Sequence, residues 1–418
     1  MNLILLLCMV ERILGYASGR RHDRDKAEKA FVANMARLSL CTTECLPHSD
    51  TLRYFLKNCR VRELGNVPPM MFGHLLRTKR LNGLRSSAAP VNGEPSFLVA
   101  VDGVCWFTCG SPVAHSIHKT FRDGRTVYGL TALQATVVSA SGIRIPLMTE
   151  FIENDGTSEY DKQDCEQKAA LRLLKRLKEA FPHLRMTILM DGLHLCEAVV
   201  KACGENKWNF SVTVTDSVSA FKRKAEKAMK ERGHHADGDD GKTGLHRKVH
   251  WCNKVEHRFG GTTVALNVIK METTNDRGED VVLFYATNIF LPGKEDKALR
   301  VLDEACRARW QIEESFDSQK HHGLGLEAVL GTRGNTGQNY YLIVQIADII
   351  RTFMLHSSLF RRLQLEENPG WAKEPVRRPM LEWYGTLSIL VERLRCSFRT
   401  VPMSDLDISG WRLECDTA

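Results

Sequence analysis

Residues 97–107 read Phe-Leu-Val-Ala-Val-Asp-Gly-Val-Cys-Trp-Phe, and this run constrains the fold more than any other. A β-branched and aromatic segment of this length is a buried strand, yet its middle carries an acid, Asp102. A carboxylate buried in an apolar strand is costly unless it is paired or binds a metal. Two further apolar runs follow at 127–139 and 143–151, separated by turns. Then come an amphipathic helix at 161–180, a strand at 185–191 that ends in Asp191, a helix at 193–202 and a strand at 210–215. Three strands in succession followed by helix–strand alternation describe an open mixed α/β sheet. Its first pairs are antiparallel and its later strands are joined by crossovers.

The remaining chain arranges itself around that sheet. A length of 418 residues exceeds what one core usually fills, roughly 250 to 300 residues, so appendages are expected. Residues 1–95 show short helical stretches broken at Leu46-Pro47, Val67-Pro68-Pro69 and Ala89-Pro90, which predicts an N-terminal helical domain. Residues 96–216 form the first part of the sheet. A basic helix at 217–232, a polar loop at 233–244 expected to be mobile, and strands at 247–257, 262–271 and 280–288 make a β-rich insertion over 217–293. Helical pattern at 294–320 and 338–363 completes the core over 294–365. A tail over 366–418 carries Trp371, Pro375 and Pro379 and a last helix through Arg395.

Charge points to a polyanionic partner. Lys and Arg number 58 against 50 Asp and Glu, a net charge of +8. Residues 51–86 hold Arg53, Lys57, Arg60, Arg62, Arg77, Lys79, Arg80 and Arg85 against the single acid Glu63; a second run is Lys222, Arg223, Lys224, Lys227, Lys230 and Arg232. Such clusters attract phosphate backbones, although either could be a solvated helix face. The 13 cysteines are scattered and odd in number, which fits reduced thiols in a cytoplasmic protein. The apolar opening, residues 1–15, lacks the basic start of a signal peptide and is too short to span a bilayer, so it predicts a core helix. A chain that begins inside such a run is expected to continue a longer amino-terminal region.

A third acid joins Asp102 and Asp191. In Arg309-Trp310-Gln311-Ile312-Glu313 and onward to Lys320, a helical turn of about 100° per residue puts Glu313 about 40° from Arg309 and Lys320 about 20° from Glu313. The three share one face, Glu314 lies about a right angle or more off it, and Ile312 and Phe316 are placed to anchor the helix to the sheet. Taken alone, Arg309 and Glu313 would be an ordinary i,i+4 ion pair on a solvated helix.

The order Val101-Asp102-Gly103, Met190-Asp191-Gly192-Leu193, then Arg309, Glu313 and Lys320 resembles the insertion-sequence DDE transposases. Their ribonuclease-H-like catalytic core is interrupted by a β-strand insertion. The family signature of Tyr, Arg, Glu and Lys matches at Arg309, Glu313 and Lys320, but its tyrosine position is Cys306. Further similar stretches are Pro146 to Glu153, Asp164-Cys165-Glu166-Gln167-Lys168-Ala169-Ala170, Tyr285 to Asn288, and Gly323 to Ala328; the resemblance covers roughly residues 48–360.

It implies a nucleoid-associated enzyme that cleaves and rejoins double-stranded DNA at element ends and at a target, working as a homodimer in a synaptic complex. Asp102, Asp191 and Glu313 would hold two Mg²⁺ ions, or Mn²⁺ in their place. Arg309 and Lys320 would contact phosphates. Two other readings remain open: a metal-dependent nuclease of the same architecture, and a non-catalytic DNA-binding derivative of a decayed element.

Weaker signals compete for attention. Cys105, Cys109, His115 and His118 have spacings that zinc could use, though no second closed set follows. Gly241-Lys242-Thr243 ends like a phosphate loop, but Ala236 stands where the earlier glycine is required and no strand precedes it, which excludes ATP binding. His234, His235, Asp237, Asp239 and Asp240 read as a polar loop rather than a chelate. Trp251 reads as a core residue; the resemblance offers the alternative of a platform for a displaced base.

Overall fold

The computed structural model describes residues 2–16, 18–153, 164–241, 243–275, 277–358, 362, 387–403 and 413. Helices α1 (Asn2–Ile13), α2 (Gly19–Asp25), α3 (Lys29–Ser39), α4 (Ser49–Asn58), α5 (Val61–Gly65) and α6 (Val67–Arg77) come first. The strands are β1 (Arg85–Val91), β2 (Glu94–Cys109), β3 (Ile117–Thr120), β4 (Thr126–Val138), β5 (Arg144–Ile152), β6 (Met186–Met190) and β7 (Asn209–Thr213), with α7 (Glu166–Ala180) before β6 and α8 (Glu197–Glu205) after it. Helix α9 (Ser219–Arg232) leads to β8 (His234–Asp239), β9 (His246–Phe259), β10 (Thr262–Thr274) and β11 (Asp280–Thr287). Helices α10 (Glu295–Val301), α11 (Trp310–His321), α12 (Thr336–Leu355) and α13 (Leu387–Thr400) follow. Lys242, residues 161–163 of the expected helix, and Trp371, Pro375 and Pro379 of the tail lie outside the described residues.

All eleven strands belong to one mixed sheet. The meander is antiparallel, β2 with β4 and β4 with β5, while β6 lies parallel to both β2 and β7. The succession β5, β4, β2, β6, β7 is the ribonuclease-H-like arrangement anticipated from the strand order. All five residues of β6 are buried, as a parallel strand covered on both faces requires. Alternation along β2 separates two layers. Phe97, Val99 and Val101 join the core under α7, where Ala169, Ala170, Leu173, Leu174 and Leu177 form its apolar stripe. Leu98, Ala100 and Val104 join the core under α12.

The insertion continues the same sheet. Strand β11 pairs antiparallel with β7, Tyr285 opposite Thr213 and Thr287 opposite Ser211, and β10, β9 and β8 extend it outward. Asn288 seals the junction by accepting from Phe210 N at 2.8 Å and donating to Trp208 O at 3.1 Å. Two expectations are corrected here. The polar loop at 233–244 contains β8, paired residue by residue with β9 from His234 opposite Trp251 to Asp239 opposite His246. Ladder bonds to backbone groups that β9 would otherwise leave open outweigh its weak strand composition. The turn expected at Ala89-Pro90 lies within β1, whose register with β2 shifts between Ser86 and Val91. Pro90, without an N–H, is tolerated on such an edge.

The N-terminal helices are not a separate body. Helix α1 buries Leu7, Val10 and Ile13, as its apolar sequence anticipates, and packs on α12. The Arg12 guanidinium donates to Tyr340 Oη at 2.8 Å. Asn339 Nδ2 donates to the carbonyls of Leu56 and Cys59 at the end of α4, at 2.7 and 2.8 Å. Among the described residues no helix is long and apolar enough to cross a membrane.

Because Asn339 is fully buried and serves two helix-end carbonyls, Asn339→Leu is expected to lower stability by about 1–3 kcal/mol. Urea denaturation of both proteins measures this, and an unchanged midpoint would show that α4 docks without that bond.

Candidate active site

Neighbouring parallel strands supply the first two acids. Ala100 on β2 is level with Leu189 on β6, so continuing the register by two residues sets Asp102 level with Asp191, one residue beyond the end of β6. This is the carboxyl edge of the parallel strands, where open α/β sheets bind ligands. A glycine follows each acid, and for want of space rather than for backbone freedom. A Cβ on Gly192 would stand 2.5 Å from Thr215 Cγ2 and 2.9 Å from Thr213 O, and one on Gly103 would stand 2.6 Å from Glu166 Oε1.

The third acid arrives on α11. Between α10 and α11 the helix widens into a π turn, Leu302–Cys306, and then tightens into a 3₁₀ turn, Arg307–Arg309. Cys306, at the signature's tyrosine position, is buried in the wide turn, and burial pushes its thiol up to about 12. Arg309 follows at the start of α11, which docks through the buried Ile312 and Phe316 as anticipated. The Arg309 guanidinium reaches both acids, Nη1 donating to Asp102 Oδ2 at 3.1 Å and Nη2 to Glu313 Oε1 at 2.6 Å. Glu314 faces elsewhere and pairs with Arg144 at 2.8 Å.

Asp102, Glu313 and Arg309 are thus brought into contact. Asp191 stands beside them, its Oδ1 accepting from Leu193 N at 3.2 Å and lying 3.6 Å from His194 Nε2. Lys320, two turns further along α11, pairs with Glu327 at 3.1 Å. Among the described residues no three His, Cys, Asp or Glu side chains converge into a metal cage by themselves, and Arg309 bridges two of the acids.

Electrostatics mark the site. Burial pushes the Asp102 carboxyl up to about 6; Arg309 and the Gly103 N–H pull it down, while Asp191 and Glu313 raise it further. Glu166, at the first turn of α7, is also raised, by burial and then by Asp191 and Asp102. This fourth carboxylate had no assigned role in the sequence, although the stretch from Asp164 to Ala170 stood out. An acid in the first turn of a helix is ordinarily a dipole partner, so only the fold exposes its neighbours. Burial lowers His194 against the pull of Asp191.

Other sequence signals settle elsewhere. Trp251 is 1% exposed and donates to Pro292 O at 3.0 Å, so it is a core residue and no stacking platform. Cys109 Sγ donates to Ser111 O at 3.0 Å, Cys105 bonds Phe107 O at 3.5 Å, and His115 pairs with Glu153 at 2.8 Å. In the second basic run, Lys222 pairs with Asp216 at 2.7 Å and Lys224 with Glu256 at 3.3 Å, and Arg232 caps the carbonyls of Asn253 and Lys254. In the first, Arg53, Lys57, Arg60, Arg62, Arg77, Lys79 and Arg85 are exposed.

Sheet order and acidic edge define a ribonuclease-H-like protein. Residues 97–347 match the family model described as Transposase DDE domain, and the chain belongs to the DDE transposase family. That span contains all three acids as well as Arg309 and Lys320. No curated protein matches the sequence. Among solved structures that match is the cryo-EM structure of a piggyBac transposase synaptic complex with hairpin DNA; it is 12% identical, with 96% of this chain and 83% of that chain covered and a TM-score of 0.37.

The pair between His115 and Glu153 carries a pH signature. Its hydrogen bond to Glu153 raises His115, so this contribution is present below pH 6.5 and is lost as pH rises through the raised value. Burial alone would raise Glu153, but His115, Gln338 and Arg172 outweigh it and hold the acid low, so its contribution is lost as pH falls below the ordinary glutamate value of 4.5. The stability difference between wild type and His115→Ala is therefore expected to peak between about pH 5 and 6 and to shrink above neutrality. Melting curves across pH measure it; a difference independent of pH would exclude an ionic pair.

Proposed function

We propose that this chain is an insertion-sequence transposase that cleaves DNA at the ends of its element and joins the freed 3′-hydroxyl to a target strand. The observation that carries this reading is the single guanidinium of Arg309 spanning Asp102 and Glu313 at the sheet edge where Asp191 also stands. Membership of the DDE transposase family supports it.

The donor set fits hard divalent cations. All three acids offer carboxylate oxygens, which Mg²⁺ and Mn²⁺ prefer, and the upward push on Asp102 from its acidic neighbours is a repulsion that a cation relieves. Asp102, Asp191 and Glu313 would hold the ions. Bound there, a metal pair supplies an activated water or 3′-hydroxyl and a stabilised leaving oxygen.

The chain's own groups do the rest. Asp102 on β2 and Asp191 just past β6 would set where the cations sit relative to the rigid sheet, and through them the reacting phosphate. Arg309 holds the start of α11 against β2 and presents a planar fork suited to a phosphate's two oxygens. Lys320, held by Glu327 from the turn that follows α11, is a point charge for the flanking backbone. The exposed basic residues of α4 to α6 supply the sequence-independent hold on duplex DNA. A homodimer is proposed for the assembly that pairs two ends.

Asp102→Asn, Asp191→Asn and Glu313→Gln are each expected to reduce Mg²⁺-dependent cleavage and joining by more than roughly 100-fold, since even outer partners of bound metals cost 10- to 100-fold. Binding to DNA carrying the element's termini should persist. A radiolabelled end-cleavage and strand-transfer assay decides: wild-type rates in any variant would remove that acid from the reaction, and hydrolysis without joining would reassign the chain as a nuclease.

A further inference from the structure

We infer that Glu166 is a fourth carboxylate of the metal-binding edge, facing the cations from the α7 side opposite α11. The inference rests on the reading of Asp102, Asp191 and Glu313 as metal ligands and adds a residue to it.

Space is the first ground. Residue 103 on β2 belongs to the alternate set that faces α7, and it is a glycine. A Cβ there would stand 2.6, 2.8 and 3.2 Å from Glu166 Oε1, Cδ and Oε2. The Glu166 carboxyl therefore lies flat against the backbone immediately after Asp102, where any larger residue would expel it. Beyond Met190, β6 has ended, so no strand backbone separates that carboxyl from Asp191.

Position is the second ground. Two clamps hold the first turn of α7 in place. Before Glu166, Arg172 joins Asp164 to Glu150, its Nε donating to Glu150 Oε1 at 2.6 Å and Nη1 to Asp164 Oδ1 at 3.0 Å. After it, Gln167 Nε2 donates to Leu193 O at 3.0 Å, tying the helix start to the turn that carries Asp191. A side chain fixed from both sides in this way is preorganised toward whatever the acids bind.

Missing partners are the third ground. Glu166 is half-buried, yet among the described residues it makes no hydrogen bond and no ion pair. Its resolved electrostatic neighbours, Asp191 and Asp102, are themselves acids. Beside them His194 is 1% exposed, neither ring nitrogen has a hydrogen-bond partner, and Nε2 points toward Asp191 Oδ1 at 3.6 Å. One acid without a partner, a second met only by a backbone N–H and a distant ring, and a buried imidazole without a hydrogen bond, all turned to one edge, leave a deficit of positive charge. Arg309 does not fill it, because its bonds go to Asp102 and Glu313 on the other side. Divalent cations have the charge and the oxygen preference to do so.

The test is metal binding by the whole chain without DNA. Free Mn²⁺ is titrated by electron paramagnetic resonance into wild type, Glu166→Gln, Gly103→Ala and Asp102→Asn, and melting temperatures are recorded in EDTA and in Mg²⁺. Glu166→Gln should raise the Mn²⁺ dissociation constant about tenfold and lose most of the Mg²⁺-dependent rise in melting temperature. In EDTA it should melt no lower than wild type, because an unpartnered like charge has gone. Gly103→Ala, which keeps the carboxylate but pushes it aside, should weaken Mn²⁺ binding in the same direction, and serves if Glu166→Gln folds poorly.

Wild-type Mn²⁺ affinity in Glu166→Gln alongside weakened binding in Asp102→Asn would overturn the role of Glu166 and leave the three-acid site standing. A lower melting temperature in both buffers with unchanged Mn²⁺ affinity would make Glu166 a structural residue only, and would overturn it too. No Mn²⁺ binding by wild type, or unaltered binding by Asp102→Asn, would overturn the metal site itself and the inference with it.

Discussion

Everything at the sheet edge depends on the guanidinium of Arg309, which bonds Asp102 across the gap from helix to strand and Glu313 one turn along its own helix. Asp102 must sit inside β2, mostly out of water, and a buried carboxylate without a countercharge is among the costliest groups a core can hold. Arg309 answers that charge and so fastens the start of α11 to the sheet, while its second bond holds Glu313 alongside. Such pairs add little net stability, but breaking one strands a charge at a cost of roughly 3–5 kcal/mol. The guanidinium is thus both a structural tie and a stand-in for positive charge, holding the acids close enough that they repel one another.

That arrangement follows from parallel register. Parallel neighbours place residues at equal depth, so Asp102 within β2 and Asp191 just past the end of β6 come level, and the glycine after each lets another element close in. The same edge gathers Glu166 from α7 and the buried ring of His194. Elements on both faces of the sheet contribute, so no single layer could be replaced without disturbing the site.

Much of this was legible in the chain itself. Strand order, the turn of Glu313 rather than Glu314 toward Arg309 and the anchoring by Ile312 and Phe316 follow from periodicity, while the grouping of the three acids was implied by the family resemblance. What escaped were pairings decided at a distance. His234 to Asp239 have poor strand composition and become β8 only because β9 offers a ladder. Pro90 marks a turn by local rules and is absorbed at an edge. Trp251 and the basic face of α9 find partners far along the chain, Pro292 and Glu256 among them. Glu166 falls inside the helix expected at 161–180, and only the fold sets it beside Gly103 of β2 and the Asp191 turn.

The wide turn at Leu302–Cys306 sets the phase of all that follows. A π turn takes one more residue per loop than an α-turn, and each helical residue adds about 100° of rotation. Trimmed to regular α-helix, the segment would swing Arg309 and Glu313 together away from β2, with no change in either residue or in their mutual contact. The chain could therefore keep every acid and still lose its shared edge through the length of a single turn, which makes the Leu302–Cys306 stretch an alignment device for the groups that follow it.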